Sequence, residues 1–150
     1  MQIAVIGNGQ AGPEECATAN AVGRLIAESG AVLVCGGLGG VMEAACRGAK
    51  EAGGTTAGIL PGTDGGNPYL DITIRTDLGH ARNVLVVLSA DAVIAVGGKY
   101  GTLSEIAVTL KTGRPVYGLG SWEIEGVIPC PSPEDAVTRA VHDAARSRIP

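Results

Sequence analysis

The sequence predicts an α/β protein with a Rossmann-like, doubly wound and mainly parallel sheet of six or more strands in three α/β/α layers. Two observations carry this prediction: short, continuously apolar runs alternate with helical patterns, and two glycine clusters directly follow apolar runs. The 150 residues are the length of one ordinary domain, with no linker, repeat or low-complexity tail. We therefore expect a single nucleotide-binding domain over residues 1–150.

Six apolar runs predict the strands, because parallel strands covered on both faces are apolar throughout rather than alternating. These runs are residues 3–6, 31–35, 56–60, 72–74, 92–96 and 115–117.

Four segments between or after these runs carry apolar residues at the i, i+3, i+4, i+7 spacing of amphipathic helices. They are centred on residues 19–27, 41–49, 103–110 and 136–144. The last one opens with Ser132, Pro133 and Asp135, which suit an N-cap, a first helical position and an acidic third position.

The segment 80–90, HARNVLVVLSA, fits both a strand and a helix, since its β-branched residues favour a strand while its spacing is helical. We predict a helix, because a helix here restores the alternation that a parallel sheet needs. The segment is apolar nearly all round, so we expect another subunit to cover it in a homodimer or higher assembly.

Composition excludes several classes of protein. The net charge is −4 and the basic residues are scattered, which argues against a nucleic-acid partner. The four cysteines show no CxxC spacing, and the sequence has two histidines, so neither a disulfide framework nor a metal site is predicted. No signal sequence or membrane span is evident, and we expect a cytoplasmic protein without a membrane partner.

Glycine is over-represented, at 24 of 150 residues, and the first cluster is GNGQAG at residues 7–12. It matches the GxGxxG pattern of dinucleotide-binding folds, but Pro13 follows it, so the helix is expected to start after the motif. The second predicted strand ends in Cys35, followed by Gly36 and Gly37, rather than in an acidic residue that would bind a ribose. We therefore predict that the motif does not bind NAD or FAD.

The second cluster consists of Gly36, Gly37, Gly39 and Gly40, between a strand and a helix. Its backbone N–H groups and the positive end of the helix favour binding of a phosphate or ribose. The alternative is a tight turn without a ligand.

The third cluster, GGKYGTLSE, contributes Gly97, Gly98, Tyr100, Gly101 and Thr102 to the candidate phosphate site, with Tyr100 available for stacking on a base. Its T-x-x-E ending also matches a capping box, in which the glutamate would bond back to the start of the helix. The alternative is that this carboxylate faces the ribose of a bound nucleotide at the carboxyl edge of the sheet.

The order GG-x-GG-V-M, ILPG, HARN and GGKYGTLSE resembles the LONELY GUY proteins, their lysine-decarboxylase-like bacterial relatives and the molybdenum cofactor carrier proteins. The resemblance implies a Rossmann-like sheet, a dimer packed through central helices and a nucleotide-sized site at the strand tips. In the LONELY GUY enzymes a PGG-x-GT-x-x-E motif supplies a catalytic glutamate, which corresponds to Glu105, and an upstream arginine corresponds to Arg82. Val96 stands where that motif has proline, and Asn83 where the enzymes have lysine.

The main functional prediction is a nucleotide-binding protein that hydrolyses a nucleoside 5′-monophosphate such as AMP to free base and ribose 5-phosphate. Glu105 would stabilise the oxocarbenium-like sugar, and Arg82 would bind the phosphate or the departing base. The alternative is a non-catalytic carrier or sensor of a nucleotide or of the pterin-based molybdenum cofactor. No cofactor is required in either case, and a single-stranded DNA binder is the least favoured alternative.

Lysine decarboxylase activity is rejected, because a pyridoxal phosphate enzyme needs a lysine for the Schiff base and a partner for the pyridinium nitrogen. Lys50 and Lys111 lie on helical patterns and Lys99 lies in a glycine loop.

Overall fold

The computed structural model describes residues 1–147, in which seven strands and five α-helices form three layers. The strands are β1 (Gln2–Gly7), β2 (Val32–Cys35), β3 (Thr56–Leu60), β4 (Ile72–Arg75), β5 (Ala92–Val96), β6 (Val116–Leu119) and β7 (Val127–Pro129). The helices are α1 (Pro13–Glu28), α2 (Val41–Glu51), α3 (Arg82–Leu88), α4 (Tyr100–Lys111) and α5 (Pro133–Ser147).

The seven strands form one sheet in the order β4-β3-β2-β1-β5-β6-β7, and each neighbouring pair is parallel. Ile3 of β1 lies beside Leu33 of β2 on one side and Ala92 of β5 on the other. The chain first winds outward from β1 to β4, then returns to the centre and continues outward from β5. The predicted doubly wound Rossmann-like fold is confirmed, and the reversal of strand order falls between β1 and β5.

Both faces of the sheet are covered by helices, which explains the apolar character of the central strands. Ile3 and Val5 pack with α1, α2 and α5, whereas Ala4 and Ile6 pack with α3 and α4. These four residues are at most 2% exposed to solvent. Side chains on both faces of the central strand β1 are therefore buried within one copy of the chain.

The predicted start of the last helix is confirmed, since the Asp135 amide donates to Ser132 Oγ at 3.2 Å. The predicted helix at 80–90 is also present, but it is shorter: a single 3₁₀ turn covers Gly79–Ala81 and α3 ends at Leu88. Strand β7 was not predicted, because three residues at the edge of a sheet give no apolar run long enough to recognise. No helix within residues 1–147 has the length and apolar character needed to cross a bilayer.

Candidate functional site

A cleft of about 210 Å³ opens at the carboxyl edge of the sheet, where the strand order reverses between β1 and β5. Open α/β sheets place their ligands at this position, because the loops on either side diverge and leave a crevice. The cleft is lined by Val5, Ile6, Gly7, Asn8, Gly9, Gly36, Leu38, Met42, His80, Arg82, Asn83, Lys99, Gly101, Thr102 and Glu105.

Arg82, the first residue of α3, is the most unusual cation of this cleft because it is 6% exposed. Its Nη1 donates to Asn83 Oδ1 at 2.5 Å, while its buried Nε has no hydrogen-bond partner among residues 1–147. Burial lowers the pKa of its guanidinium, which the negative charge of Glu105 partly offsets. A buried donor without an acceptor is costly, so this arginine is poised to bind an anion.

Gly36 provides the space that Arg82 occupies. A Cβ at this position would lie 2.7 Å from Nη1 and 2.8 Å from Nη2 of the guanidinium. The absence of a side chain at the end of β2 therefore lets the arginine reach into the cleft.

Glu105 lies inside α4 and is 7% exposed. Burial raises the pKa of its carboxyl to about 7, and the positive charge of Arg82 opposes part of that rise. No hydrogen bond to this carboxylate is found in the described part of the chain. A ligand that carries hydrogen-bond donors would give it the partners that it lacks.

Of the two alternatives for the T-x-x-E pattern, the structure does not form the capping box between Thr102 and Glu105. Helix α4 begins at Tyr100, its N-cap position is Lys99, and no side chain within residues 1–147 caps it. Thr102 is thus the third helical residue and Glu105 the sixth, one turn too far along to reach the start of the helix. The helix begins early because the turn at Gly97 and Gly98, both with positive φ, ends one residue before the N-cap.

The open start of α4 adds a second feature that favours anions. Leu103 donates its amide to the Lys99 carbonyl at 2.9 Å, whereas the preceding amides of the first turn have no intrahelical acceptor. These amides and the helix dipole attract negative charge, and Lys99 and His80 also line the cleft. In a protein with net charge −4, this cleft gathers two permanent cations against one carboxylate.

The structure brings five of the predicted site residues together in the cleft: Gly36, Arg82, Gly101, Thr102 and Glu105. Their roles in binding or catalysis stay predictions.

The other predicted site residues do not line the cleft; they are Gly37, Gly39, Gly40, Gly97, Gly98 and Tyr100. Gly40 has a structural reason for its identity, because its φ is +61° and a Cβ there would lie 2.2 Å from the Asn8 carbonyl oxygen. Tyr100 is 81% exposed, and its ring centroid is 6.1 Å from that of Trp122.

Sequence reasoning missed Asn8, Gly9, His80, Asn83 and Lys99 as lining residues. The signal for the first two was present in the GNGQAG motif. Helix α1 starts at Pro13, after the motif, as predicted, which argues against the geometry of a dinucleotide-binding fold. The loop that the motif forms nevertheless lines one side of the cleft. The other three lie within the HARN and GGKYG segments.

Comparison with known proteins gives one family and several close relatives. Residues 1–146 match the model of the SLOG cluster4 family. A protein of Archaeoglobus fulgidus is 51% identical over 148 residues, which are 97% of this chain and 98% of that protein.

Two solved structures combine the same fold with substantial identity. The molybdenum cofactor binding protein from the phototrophic bacterium Rippkaea orientalis is 41% identical with a TM-score of 0.87, over 92% of this chain and 93% of that one. The molybdenum cofactor carrier protein MCP from Chlamydomonas reinhardtii is 36% identical with a TM-score of 0.89, over 96% and 98%. The predicted resemblance to molybdenum cofactor carrier proteins is thus confirmed, whereas the specific LONELY GUY assignment is not. From the match over residues 1–146, this chain belongs to the SLOG cluster4 family.

Proposed function

We propose that this protein is a carrier that binds a phosphorylated pterin, the organic part of the molybdenum cofactor, in the cleft between β1 and β5. The observation that carries the proposal is Arg82, a buried guanidinium that lines a cleft at the strand tips and whose Nε finds no acceptor in the described residues 1–147. A phosphate group supplies the acceptors that this arginine lacks, and it matches the planar fork of donors.

The phosphate is expected to lie between Arg82 and the first turn of α4. The amides of Gly101 and Thr102 belong to that turn, and both residues line the cleft together with Lys99. Charge-assisted hydrogen bonds from an arginine and a helix start reinforce each other at one anion.

Glu105 is proposed to accept hydrogen bonds from the ring system of the ligand. The aminopyrimidinone edge of a pterin presents two neighbouring N–H donors, and a carboxylate offers two acceptor oxygens. Because Glu105 is 7% exposed and accepts no hydrogen bond from the described chain, such a ligand relieves its desolvation.

The cleft is small for a site that would enclose a whole ligand. Small-molecule sites usually span about 300–1,000 Å³, and this cleft measures about 210 Å³. One end of the ligand is therefore held while the rest stays accessible, which allows transfer to a recipient protein.

The comparisons favour the carrier over the phosphoribohydrolase that the sequence predicted as the main function. The relatives at 41% and 36% identity are named for binding and carrying the molybdenum cofactor. A carboxyl with a pKa of about 7 is compatible with acid–base work, but no relative reported above supports hydrolysis.

Self-association through α3 is part of the proposal. Val84, Leu85 and Leu88 of this seven-residue helix are 38%, 39% and 41% exposed. Ile72 and Ile74 of the edge strand β4 are 49% and 48% exposed, and they pair with Ala57 and Ile59, which face the same side of the sheet as α3. Apolar side chains exposed on the same side of the sheet favour a second copy of the chain as the partner.

The test is a set of anaerobic calorimetric titrations with the molybdenum cofactor, AMP and inorganic phosphate. We expect the cofactor to bind at least about tenfold more tightly than AMP, a difference of about 1.4 kcal/mol. Arg82→Gln should weaken binding of all three ligands, whereas Arg75→Gln, which changes an exposed arginine of β4, should not.

Two results would contradict the proposal. The carrier is wrong if the cofactor binds no better than inorganic phosphate. Release of adenine from AMP, followed by chromatography, would restore the phosphoribohydrolase in its place.

A further inference from the structure

Two buried cysteines lie in contact directly behind the cleft. Cys35 is the last residue of β2, Cys46 lies on the inner face of α2, and both are 0% exposed. Their Sγ atoms are 3.5 Å apart and share a hydrogen bond. The sequence analysis assigned them no role beyond that of small core residues, and the proposed carrier function does not use them.

The surroundings of the pair distinguish the two sulfurs. The Gly37 amide donates to Cys35 Sγ at 3.3 Å, so this sulfur accepts a hydrogen bond that favours its thiolate. The pKa of Cys35 is lowered by the hydrogen bond from Cys46, the Gly37 amide and the charge of Arg82, against the opposing effect of burial. The pKa of Cys46 is raised by its hydrogen bond to Cys35 and by burial. The Gly37 amide beside Cys35 Sγ therefore favours Cys35 over Cys46 as the attacking thiolate.

We propose that Cys35 and Cys46 form a redox-active pair, which hydrogen peroxide converts into an intramolecular disulfide that repositions Gly36 relative to Arg82. In the first step the Cys35 thiolate attacks the peroxide, the O–O bond breaks, and a sulfenic acid and one water form after proton transfer. In the second step Cys46 sulfur attacks the sulfenic sulfur, the S–O bond breaks and a second water leaves. The two thiols lose two electrons in total, and the peroxide is reduced to two waters.

The coupling to the cleft follows from the chain connection and the close packing. A disulfide bond is about 2.05 Å long, so the sulfurs must approach from their present separation of 3.5 Å. Cys35 and α2 pack on one face of the sheet, while α3, which carries Arg82, packs on the other. The bond therefore draws the end of β2 towards α2, and Gly36 moves with it away from the guanidinium that now fills its Cβ position.

The other two cysteines serve as internal controls. Cys16 and Cys130 are half-buried, and their sulfurs donate hydrogen bonds to the backbone carbonyls of Ala11 and Ile128, respectively. Replacing both by serine leaves a chain in which Cys35 and Cys46 are the two remaining thiols.

The first measurement is the mass of this double variant after treatment with hydrogen peroxide and alkylation under denaturing conditions. We expect an unalkylated chain lighter by two hydrogen atoms, with the peptides of Cys35 and Cys46 linked. Alkylation of both thiols after peroxide treatment would overturn the proposal. The additional substitution Cys46→Ala in this double variant should prevent formation of the intramolecular disulfide.

The second measurement is the NMR signal of the Arg82 Nε–H group, identified by its loss in Arg82→Lys. Oxidation should shift this signal in the double variant and leave it unchanged when Cys46→Ala is added. An unshifted signal in a chain with the disulfide would refute the coupling to the cleft. Neither measurement needs a ligand, so both decide the inference even if the carrier function fails.

A third measurement rests on the proposed function. The oxidised protein should bind the molybdenum cofactor at least about fivefold more weakly than the reduced protein, the lower end of coupling between two sites. Equal affinities would remove the functional part of the inference, whereas failure of the reduced protein to bind would instead refute the carrier.

Discussion

The substitution Glu105→Gln tests whether the cleft holds a carboxyl group whose ionised form is destabilised by burial. Glu105 is 7% exposed, and burial raises the pKa of its carboxyl from an ordinary value of 4.5 to about 7. Glutamine has nearly the same shape but never ionises, so it removes the cost of desolvating the charge without creating a cavity.

The size and sign of the effect follow from the two pKa values. Each factor of ten in an acid dissociation constant is worth about 1.4 kcal/mol, so the shift corresponds to about 3 kcal/mol. Because the folded-state pKa is raised, the stability that the neutral form contributes is fully present below pH 4.5 and is lost as the pH rises through 7. The wild type should therefore lose about 3 kcal/mol relative to Glu105→Gln between about pH 4 and pH 8.

The assay is urea denaturation of both proteins at a series of pH values, with the free energy of unfolding from linear extrapolation. The difference between variant and wild type is plotted against pH, which cancels titration of groups that both share. Glu125→Gln, which replaces an exposed carboxylate, serves as the matched control and should give a flat difference. If Glu105→Gln gives an equally flat difference from pH 4 to pH 8, the carboxylate is solvated and our account of the cleft is wrong.

The remaining predictions concern the neighbours of that carboxylate and the outer face of α3. Gly36→Ala should displace the guanidinium of Arg82, whose Nη1 lies 2.7 Å from the new Cβ, and lower ligand affinity by about tenfold or more; unchanged calorimetric affinity would contradict this. At about pH 5, where Glu105 is neutral, Arg82→Met should raise the free energy of unfolding of the ligand-free protein by about 1 kcal/mol while abolishing anion binding, because it removes a buried and incompletely paired charge without leaving an unpaired carboxylate; a lower urea midpoint at that pH would count against it. Leu85→Lys should convert an oligomer into a 15.0 kDa species in light scattering, with Lys111→Ala as a control on exposed surface; a wild type that is itself monomeric would remove the proposed interface.

The sequence by itself determined the fold class, because that class depends on local and repeating features. Continuously apolar runs separated by amphipathic helices leave a parallel, doubly covered sheet as the consistent arrangement. Local chemistry also set helix starts: Pro13 begins α1 and Ser132 caps α5, as expected from hydrogen bonds and dihedral preferences within a few residues.

The sequence also predicted Arg82 and Glu105 as site residues, on the basis of resemblance to a family, and both line the cleft. Glycines after a strand mark a loop at the carboxyl edge of the sheet, but they do not say which glycine faces a ligand and which accommodates a neighbouring backbone. Gly36 lies against a guanidinium, whereas Gly40 lies against the Asn8 carbonyl oxygen. That distinction depends on contacts between segments far apart in the chain.

Only the tertiary structure decided between the two interpretations of the T-x-x-E pattern. A capping box requires Thr102 at the N-cap and a helix that begins at Leu103. The helix begins at Tyr100 instead, and Glu105 lies within it beside Arg82. The same holds for the contact of Cys35 with Cys46, eleven residues apart in sequence and 3.5 Å apart between their sulfurs. Burial of a side chain, proximity of charges and contact between distant residues arise when α2, α3 and α4 pack on the sheet that contains β2. The sequence of any single segment does not determine them.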